Sequence, residues 1–267
     1  HQLIRSYRHL DQLDESFFRH LRATYLGMNS YCDWMLGQLL DALDETGLDD
    51  ETCLIVSSDH GDWAGDYGLV EKWPSALDDC LTHVPLLIRL PGGVQGRTIE
   101  GPVELMDLMP TVLELAGVEP QHTHFAASLM PELTGQRDNL HRAVYAEGGY
   151  DPHEPQCFEG RWADYDIPRD ERHIYWPKGL LQQEHPESVC RSVMVRTQMF
   201  KLVQRTNGVC ELYDLERDPL ELDNVYRDPR YADVQWQLEA DLLHWYMRTS
   251  DVTPMDENPR GLPATVD

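Results

Sequence analysis

Residues 53–91 read CLIVSSDHGDWAGDYGLVEKWPSALDDCLTHVPLLIRLP. The stretch opens with an apolar run, residues 53–56, of the kind that forms a strand buried on both faces. Asp59, His60 and Gly61 follow, so we expect them at the carboxyl end of that strand, where open α/β sheets bind their ligands. A carboxylate and an imidazole side by side are two candidate metal ligands. Gly61 is expected to let the chain turn sharply and to leave room for an ion.

The rest of the stretch supplies a cation and a second strand. Lys72 follows Asp59 by thirteen residues, and an apolar run at residues 84–90 ends in Pro91-Gly92-Gly93. Residues 61–79, which lie between the two predicted strands and include Lys72, have no helical or strand period. A loop of that length in a compact domain is usually functional. Asp62 and Asp66 within it could contact a substrate or cap turns.

Composition restricts the partners. The chain has 267 residues, of which 22 are Lys or Arg and 47 are Asp or Glu, giving a formal net charge of −25. Such a surface repels nucleic acid and anionic membranes. An anionic substrate would therefore need local positive charge from a metal ion or basic side chains. No apolar run approaches the roughly 20 residues of a membrane span.

The six cysteines are scattered and form no CxxC pair. The sequence therefore does not predict a zinc ribbon or a thioredoxin-type site. Cys32 and Cys53 stand in apolar patterns, and we predict that both are buried thiols. The pairing of the later cysteines is open.

The flanking sequence predicts both helices and strands. Apolar residues recur at steps of three and four over residues 16–46, which predicts a long amphipathic helix ended by Gly47. A helix followed closely by a core strand is typical of a parallel αβ unit. Asp107 is predicted to cap a helix. Further on, we predict a short strand at 143–146, strands at 192–197 and 199–205, a hairpin turn at Asn207-Gly208, and a final helix from Asp228.

These residues resemble a known family. Asp59-His60-Gly61-Asp62, the Gly65–Leu69 loop, Lys72 and the His83–Arg89 strand look like the second half of a sulfatase, a member of the alkaline phosphatase superfamily. The segment at residues 212–221, LYDLERDPLE, is similar to a second sulfatase motif. The resemblance implies an α/β fold, part of an alkaline-phosphatase-like sandwich with a central, mostly parallel sheet and flanking helices. It also implies a small C-terminal antiparallel sheet packed by a terminal helix.

The resemblance assigns roles to four residues. It implies that Asp59 and His60 bind a divalent metal and that Lys72 holds the oxygens of the sulfate group. Many sulfatases have Arg where His83 stands, so His83 could reach the pocket as a proton donor or could only pack. The family's usual ion is Ca²⁺, and the imidazole ligand leaves room for Mn²⁺ or Zn²⁺.

Two expected parts of a sulfatase are missing from this sequence. No Cys or Ser stands in the Cys/Ser-x-Pro/Ala-x-Arg motif that yields the formylglycine nucleophile, and the upstream Asp-Asp pair of metal ligands is absent. We therefore expect that the chain starts in mid-protein and that its partner is the N-terminal half of the same enzyme. Residues 1–141 would be the second half of the catalytic domain, and residues 142–267 a smaller C-terminal subdomain. Residues 149–188 would form either a specificity loop at the rim of the substrate pocket, as the resemblance implies, or a segment that only packs on the fold.

The resemblance predicts a sulfuric ester hydrolase and leaves alternatives open. A phosphonate monoester or phosphodiester hydrolase of the same superfamily is one alternative, and a non-catalytic relative that binds sulfated glycans is another. The substrate could be a sulfated polysaccharide, an aryl sulfate or a small sulfate ester. The family implies a periplasmic or secreted protein, although residues 1–6 lack the apolar centre of a signal peptide.

Overall fold

The computed structural model describes residues 1–94, 96–137, 141–151, 153–154 and 176–252. Its α-helices are α1 (Gln2–Tyr7), α2 (Glu15–Glu45), α3 (Asp79–Thr82), α4 (Leu108–Ala116), α5 (Met130–Leu133), α6 (Trp176–Glu184) and α7 (Ala232–Thr249). Its strands are β1 (Leu54–Ser57), β2 (Leu86–Arg89), β3 (Val144–Gly148), β4 (Ser192–Arg196), β5 (Phe200–Arg205) and β6 (Glu211–Asp214). Within this part of the chain, no helix is long and apolar enough to cross a membrane.

The chain is divided into two compact units, each built from several segments. The first unit comprises His1–Gly92, Ala146–Val193 and Gln204–Val209, and the second comprises Gly93–Tyr145, Met194–Val203 and Cys210–Asp267. The predicted boundary is a different one: it separates the second half of a catalytic domain, residues 1–141, from a C-terminal subdomain, residues 142–267. That boundary stays a prediction. Residues 155–175, most of the predicted rim loop, and Cys157 lie outside the described residues.

The long helix α2 confirms the predicted helix to within one residue at each end. The Asp14 carboxylate accepts a hydrogen bond of 3.1 Å from the Phe17 amide and caps its N-terminus. Gly47, at φ 70°, follows its C-terminus in the left-handed conformation that closes many helices. None of its 31 residues is buried. Several of its apolar side chains, such as Tyr31, which is 60% exposed, therefore lie uncovered by the described chain.

Strands β1 and β2 correct two expectations. The helix α2 and β1 were expected to form an αβ unit of a parallel sheet, but the described partner of β1 is β2, which runs antiparallel to it, with Leu54 opposite Arg89 and Ser57 opposite Leu86. The segment between them folds as a loop that doubles back, which suffices for antiparallel pairing. β1 is half-buried, not buried on both faces. Cys32 is exposed, contrary to prediction, because it lies on the uncovered α2, and Cys53 is only partly buried, which still raises the pKa of its thiol.

The core of the first unit forms around the loop that follows β1. Trp63 and Leu69 are fully buried, and Trp73 and Leu81 nearly so. They pack in one cluster with Ile4, Leu10, Leu181 and Val189. Burial of two tryptophans provides a large share of the apolar area in this unit. The loop is therefore part of the core and not a surface excursion.

The four-stranded sheet has the order β3-β4-β5-β6 and matches the predicted strands. β5 and β6 pair antiparallel, with Lys201 opposite Tyr213. The side chains of Lys201 and Glu221 are both buried and lie 2.6 Å apart, which keeps the two charges compensated. The turn that leads into β6 is the predicted one: Asn207 accepts a hydrogen bond of 2.9 Å from the Val209 amide. The final helix also begins as predicted, because Asp228 caps the turn that leads into α7.

In the second unit, Asp107 does more than cap a helix. Its side chain is fully buried and accepts hydrogen bonds from the Glu104 amide at 2.8 Å and the Ala127 amide at 2.8 Å. The Arg142 guanidinium donates to Asp107 at 2.5 Å and to Glu104 at 2.7 Å. Burial raises the pKa of the Glu104 carboxyl. Burial alone would lower the pKa of Arg142, but its hydrogen bonds and charge interactions with Asp107 and Glu104 together outweigh that effect and raise the pKa.

Candidate active site

Asp59 and His60 lie immediately beyond the end of β1. Ser57, the last residue of the strand, donates through its hydroxyl to the Pro85 carbonyl at 3.0 Å. The Ser58 hydroxyl donates to the His60 carbonyl at 2.8 Å. These two bonds hold the turn in which the strand ends. The predicted position of the pair at the carboxyl end of a strand is therefore the one that the structure has.

The Asp59 carboxylate and the His60 imidazole face each other. The His60 amide donates to Asp59 Oδ1 at 2.9 Å, and His60 Nε2 lies 3.5 Å from Asp59 Oδ2. His60 Nδ1 lies 2.8 Å from the Gly61 carbonyl, which can only accept, so Nδ1 carries the proton. In the neutral ring this leaves the Nε2 lone pair available to a cation. The Asp59 side chain is 85% exposed, so its oxygens are open to further ligands.

Lys72 completes the group. Its Nζ lies 2.5 Å from His60 Nε2. The sequence contains three lysines, and the other two, Lys178 and Lys201, are buried. Lys72 is therefore the lysine that is exposed to solvent, in a protein of strongly negative charge. An anion near His60 would meet this ammonium as a local positive charge.

The loop between His60 and Lys72 is closed by hydrogen bonds near its ends. Asp62 Oδ1 accepts from the Ala64 amide at 2.7 Å and from the Glu71 amide at 3.2 Å. The Trp63 amide donates to the Glu71 carbonyl at 3.0 Å. Sequence reasoning left Asp62 unassigned. Aspartate side chains often accept a hydrogen bond from the amide two residues further on, so the bond to Ala64 could have been predicted from the sequence. The bond to the Glu71 amide could not, because nine positions separate the two.

Glu71 is anchored on its other side by basic groups. Its carboxylate lies 3.2 Å from Arg8 Nη1 and 4.0 Å from the buried Lys178 Nζ. Arg8 also donates to the Val70 carbonyl at 3.3 Å. Neither Arg8 nor Lys178 stands near Glu71 in the sequence, so sequence reasoning missed both. They hold the residue directly before Lys72.

Gly61 is required here by backbone packing. Its amide donates to the Leu81 carbonyl at 2.8 Å. A Cβ at this position would lie 1.9 Å from the Cys80 carbonyl oxygen. The sharp turn was expected. The atoms that crowd Gly61 belong to the backbone of α3, the short helix that precedes β2. The predicted role of Gly61 in leaving room for an ion stays a prediction.

His83 is the predicted site residue that the structure does not join to the others. It is exposed and ends the short helix α3, where its amide donates to the Asp79 carbonyl at 2.8 Å. Among the described residues, no hydrogen bond or ion pair links its imidazole to Asp59, His60 or Lys72. Its role as a proton donor stays a prediction.

Two family models match this chain. The family model Sulfatase matches residues 2–118, which include Asp59, His60, Lys72 and His83. The model N-sulphoglucosamine sulphohydrolase, C-terminal, matches residues 172–248, which include the 212–221 motif. The chain belongs to the sulfatase family of the alkaline phosphatase superfamily.

Two curated relatives are similar to this chain over most of its length. The multifunctional alkaline phosphatase superfamily protein PehA of Trinickia caryophylli is 29% identical over 94% of this chain and 45% of that protein. Arylsulfatase K of Gallus gallus is 29% identical over 78% of this chain and 34% of that protein. The sulfatase-family chain thus spans less than half of the length of both relatives.

A solved structure gives the same fold. The phosphonate monoester hydrolase SpPMH from Silicibacter pomeroyi superposes with a TM-score of 0.70 at 30% identity, over 88% of this chain and 42% of that one. The predicted fold class is confirmed: an alkaline-phosphatase-like α/β fold with a small C-terminal antiparallel sheet and a terminal helix.

The donor set of this sulfatase-family site suits a divalent cation but is partial. Asp59 offers hard carboxylate oxygens and His60 a borderline imidazole nitrogen, a combination that accommodates Ca²⁺, Mn²⁺ or Zn²⁺. In the part of the chain that the structure describes, no three His, Cys, Asp or Glu side chains cluster closely enough to hold a metal ion. A complete coordination shell would therefore need oxygens beyond these two side chains.

Proposed function

We propose that the protein to which this chain belongs hydrolyses a sulfate ester at a site that includes Asp59, His60 and Lys72. The observation that carries the proposal is the convergence of three side chains at the end of β1. His60 Nε2 lies 3.5 Å from Asp59 Oδ2 and 2.5 Å from Lys72 Nζ. The membership of the chain in the sulfatase family supports this reading of the group.

A divalent metal at Asp59 and His60 is part of the proposal. The exposed Asp59 carboxylate and the Nε2 lone pair of His60 are the donors that would hold it. A bound divalent cation supplies charge that stabilises the anionic transition state and lowers the pKa of a coordinated nucleophile. By family resemblance we propose Ca²⁺, with Mn²⁺ and Zn²⁺ as alternatives. The Gly61 carbonyl would keep the imidazole in the tautomer that ligation requires.

Lys72 is proposed to bind the sulfate group. A sulfate ester carries negative charge that grows on its oxygens as the ester bond breaks, and an ammonium at that position stabilises it. We propose His83 as a proton donor to the departing alcohol. Its exposed position at the end of α3 leaves the imidazole accessible to a substrate.

The nucleophile, a formylglycine, and the remaining metal ligands are proposed to come from the N-terminal half of the same enzyme. Exposure of α2 supports a missing neighbour. Met28, Tyr31 and Trp34 are 62%, 60% and 56% exposed on a helix without a buried residue. Apolar side chains arranged in this way usually pack against further protein. Residues 1–141 would then be the second half of the catalytic domain and residues 142–267 its C-terminal subdomain.

The proposed substrates are sulfated small molecules or glycans. The match of residues 172–248 to the C-terminal model of N-sulphoglucosamine sulphohydrolase supports a sulfated sugar. By the same family resemblance we propose a periplasmic or secreted location.

The test uses the protein that contains this chain together with the rest of its catalytic domain. Hydrolysis of 4-nitrophenyl sulfate is measured for the wild type, Asp59→Ala, Lys72→Met and the control Asp66→Asn. Asp66 lies in the same loop, but its carboxylate binds Arg22 instead of the site. We expect losses of about 10²–10³-fold in kcat for the two site variants and little change in the control. Equal rates in the wild type and Asp59→Ala would refute the proposal.

Metal dependence has a readout of its own. We expect Ca²⁺ or Mn²⁺ to raise the melting temperature of the wild type, since a ligand that binds only the folded state stabilises it. Asp59→Ala should abolish most of that increase. An unchanged increase in this variant would place the metal elsewhere.

A second function has its own support. SpPMH and PehA are similar to this chain over most of its length, and SpPMH is a phosphonate monoester hydrolase. We therefore propose phosphonate monoester hydrolysis as the alternative. The ratio of kcat/KM for 4-nitrophenyl sulfate to that for 4-nitrophenyl phenylphosphonate decides between the two. If the protein is instead a non-catalytic relative that binds sulfated glycans, it should bind them and hydrolyse neither ester.

A further inference from the structure

We propose that Asp62 is a positioning residue, whose carboxylate closes the loop between His60 and Lys72 and thereby sets Lys72 against His60. The inference rests on the proposed function, because it concerns the cation of that site. Asp62 itself touches neither Lys72 nor His60 in the described hydrogen bonds. It acts on the backbone on both sides of the loop.

The bonds of Asp62 bridge the two ends of the loop. Its Oδ1 accepts from the Ala64 amide, two residues on, and from the Glu71 amide, directly before Lys72. The Trp63 amide donates to the Glu71 carbonyl beside them. Two hydrogen bonds therefore join Asp62 and Trp63 to Glu71, and the third holds the turn at residues 62–64. Together they fix the backbone directly before Lys72 relative to the end of β1.

The loop is held in a conformation that it would not adopt alone. Ala64, Tyr67 and Glu71 have φ of 45°, 54° and 67°, in the left-handed region that non-glycine residues seldom occupy. Such conformations persist only where surrounding contacts hold them. At Glu71, the contacts are the bond of its amide to Asp62 and the ion pair of its carboxylate with Arg8.

The flanks of the loop cannot adjust to compensate. Trp63 and Trp73 are 0% and 4% exposed and belong to the core. Between these fixed points the position of Lys72 depends on the Glu71 backbone. Loss of the Asp62 acceptor would leave the Ala64 and Glu71 amides without their partner, while the core stays packed. The Glu71 backbone would then be held less tightly, by the bond of its carbonyl to the Trp63 amide and by the ion pair with Arg8.

The first test measures the loop directly in the protein that contains this chain. Amide hydrogen exchange is followed at Ala64 and Glu71 in the wild type, Asp62→Ala and Asp62→Asn, with Asp66→Asn as the control. We expect about tenfold faster exchange at both amides in Asp62→Ala, the factor for the loss of one ordinary hydrogen bond. Asp62→Asn keeps an oxygen acceptor and should stay close to the wild type. Unchanged exchange in Asp62→Ala would overturn the proposal.

The second test asks whether Asp62 acts through Lys72. In the complete enzyme, Asp62→Ala should lower kcat/KM by about 100-fold, as misplacement of a catalytic group by about 1 Å does. In a Lys72→Met background the same substitution should have almost no effect, because coupled residues are non-additive. Additive losses, or an Asp62→Asn variant as inactive as Asp62→Ala, would refute positioning through Lys72.

The two proposals fail in different ways. An enzyme without sulfatase or phosphonate monoesterase activity would refute the proposed function, while the exchange data would still report on the loop. An active enzyme whose activity does not depend on Asp62 would refute only this inference.

Discussion

Lys72 Nζ lies 2.5 Å from His60 Nε2, and the opposite nitrogen of the same imidazole lies 2.8 Å from the Gly61 carbonyl. The ring thus presents its lone pair to a cation, and that cation is the ammonium of Lys72. A divalent metal ligated by His60 would share this small space with a positive charge. The ammonium of Lys72 should therefore weaken the binding of a divalent metal at His60 and strengthen the binding of a sulfate anion.

We expect Lys72→Met to bind divalent metal more tightly and sulfate more weakly. At about 4 Å a divalent cation and an ammonium repel by about 2 kcal/mol even in water, which corresponds to an increase of about 30-fold in Mn²⁺ affinity on removal of the ammonium. Inorganic sulfate should inhibit the variant less well, because its cationic partner is gone. Calorimetric titration with Mn²⁺ and inhibition by sulfate check the two effects. Weaker metal binding in Lys72→Met would show that Lys72 supports the metal instead of repelling it.

We expect Gly61→Ala to displace Asp59 and His60. The new methyl group would meet the Cys80 carbonyl at 1.9 Å, so the backbone on one side has to move. The overpacking should cost about 1–3 kcal/mol of unfolding free energy, and activity should fall by more than the stability loss explains. Urea unfolding and kcat/KM are the measurements.

Gly27→Ala is the matched control for this change. Gly27 lies on the exposed helix α2 with no atom within 4 Å of the added methyl group. The same substitution should stabilise the protein by up to about 1 kcal/mol there. A Gly61→Ala variant as stable and active as Gly27→Ala would contradict the packing explanation.

We expect Arg142→Met to destabilise the chain strongly. Asp107 and Glu104 are buried around the guanidinium, and loss of one partner of a buried ionic group typically costs about 3–5 kcal/mol. The midpoint of urea unfolding should fall accordingly. Arg191→Met removes an exposed ion pair with Glu154 and should change stability by less than about 1 kcal/mol. Similar midpoints for the two variants would argue against a structural role for the cluster.

Stability should depend on Asp228 above about pH 4 and less so below it. Hydrogen bonds from the Arg230 side chain, and then from its amide, lower the pKa of Asp228 from 3.8 to about 2. A lowered pKa in the folded state means that the contribution is complete above the unfolded value and is lost as the pH falls toward 2. Asp228→Asn should therefore lower the urea midpoint at pH 7 and lower it less at pH 3. An equal difference at both values would assign the effect to the cap geometry alone.

Much of the site could be predicted because its members are close in the sequence. Asp59 and His60 directly follow an apolar run, and a strand end places adjacent residues in one crevice. Lys72 was assigned by the resemblance to sulfatases, and the structure brings it to His60. His83 was named by the same resemblance, yet the fold leaves it exposed and without a bond to the other three. Spacing alone does not determine which way a side chain points.

Other features depend on contacts between residues far apart in the chain. Arg8 and Lys178 meet at Glu71, although 170 positions separate them. The burial of Cys32 and β1 was predicted from apolar patterns, and both are more exposed than expected. An apolar pattern indicates which face of an element prefers to be covered, whereas burial requires a neighbour that covers it.

The amino-acid sequence by itself determined the helix α2, the strands, the capped turns and the order of Asp59, His60 and Lys72. These follow from local periodicity and backbone preferences, which act over a few residues. Only the tertiary structure decided that Asp62 bonds to the Glu71 amide, that Gly61 packs on the Cys80 carbonyl and that Arg142 joins Asp107 inside the second unit. Each of these depends on where distant segments meet, because hydrogen bonds and packing act over a few ångströms in space and not along the chain.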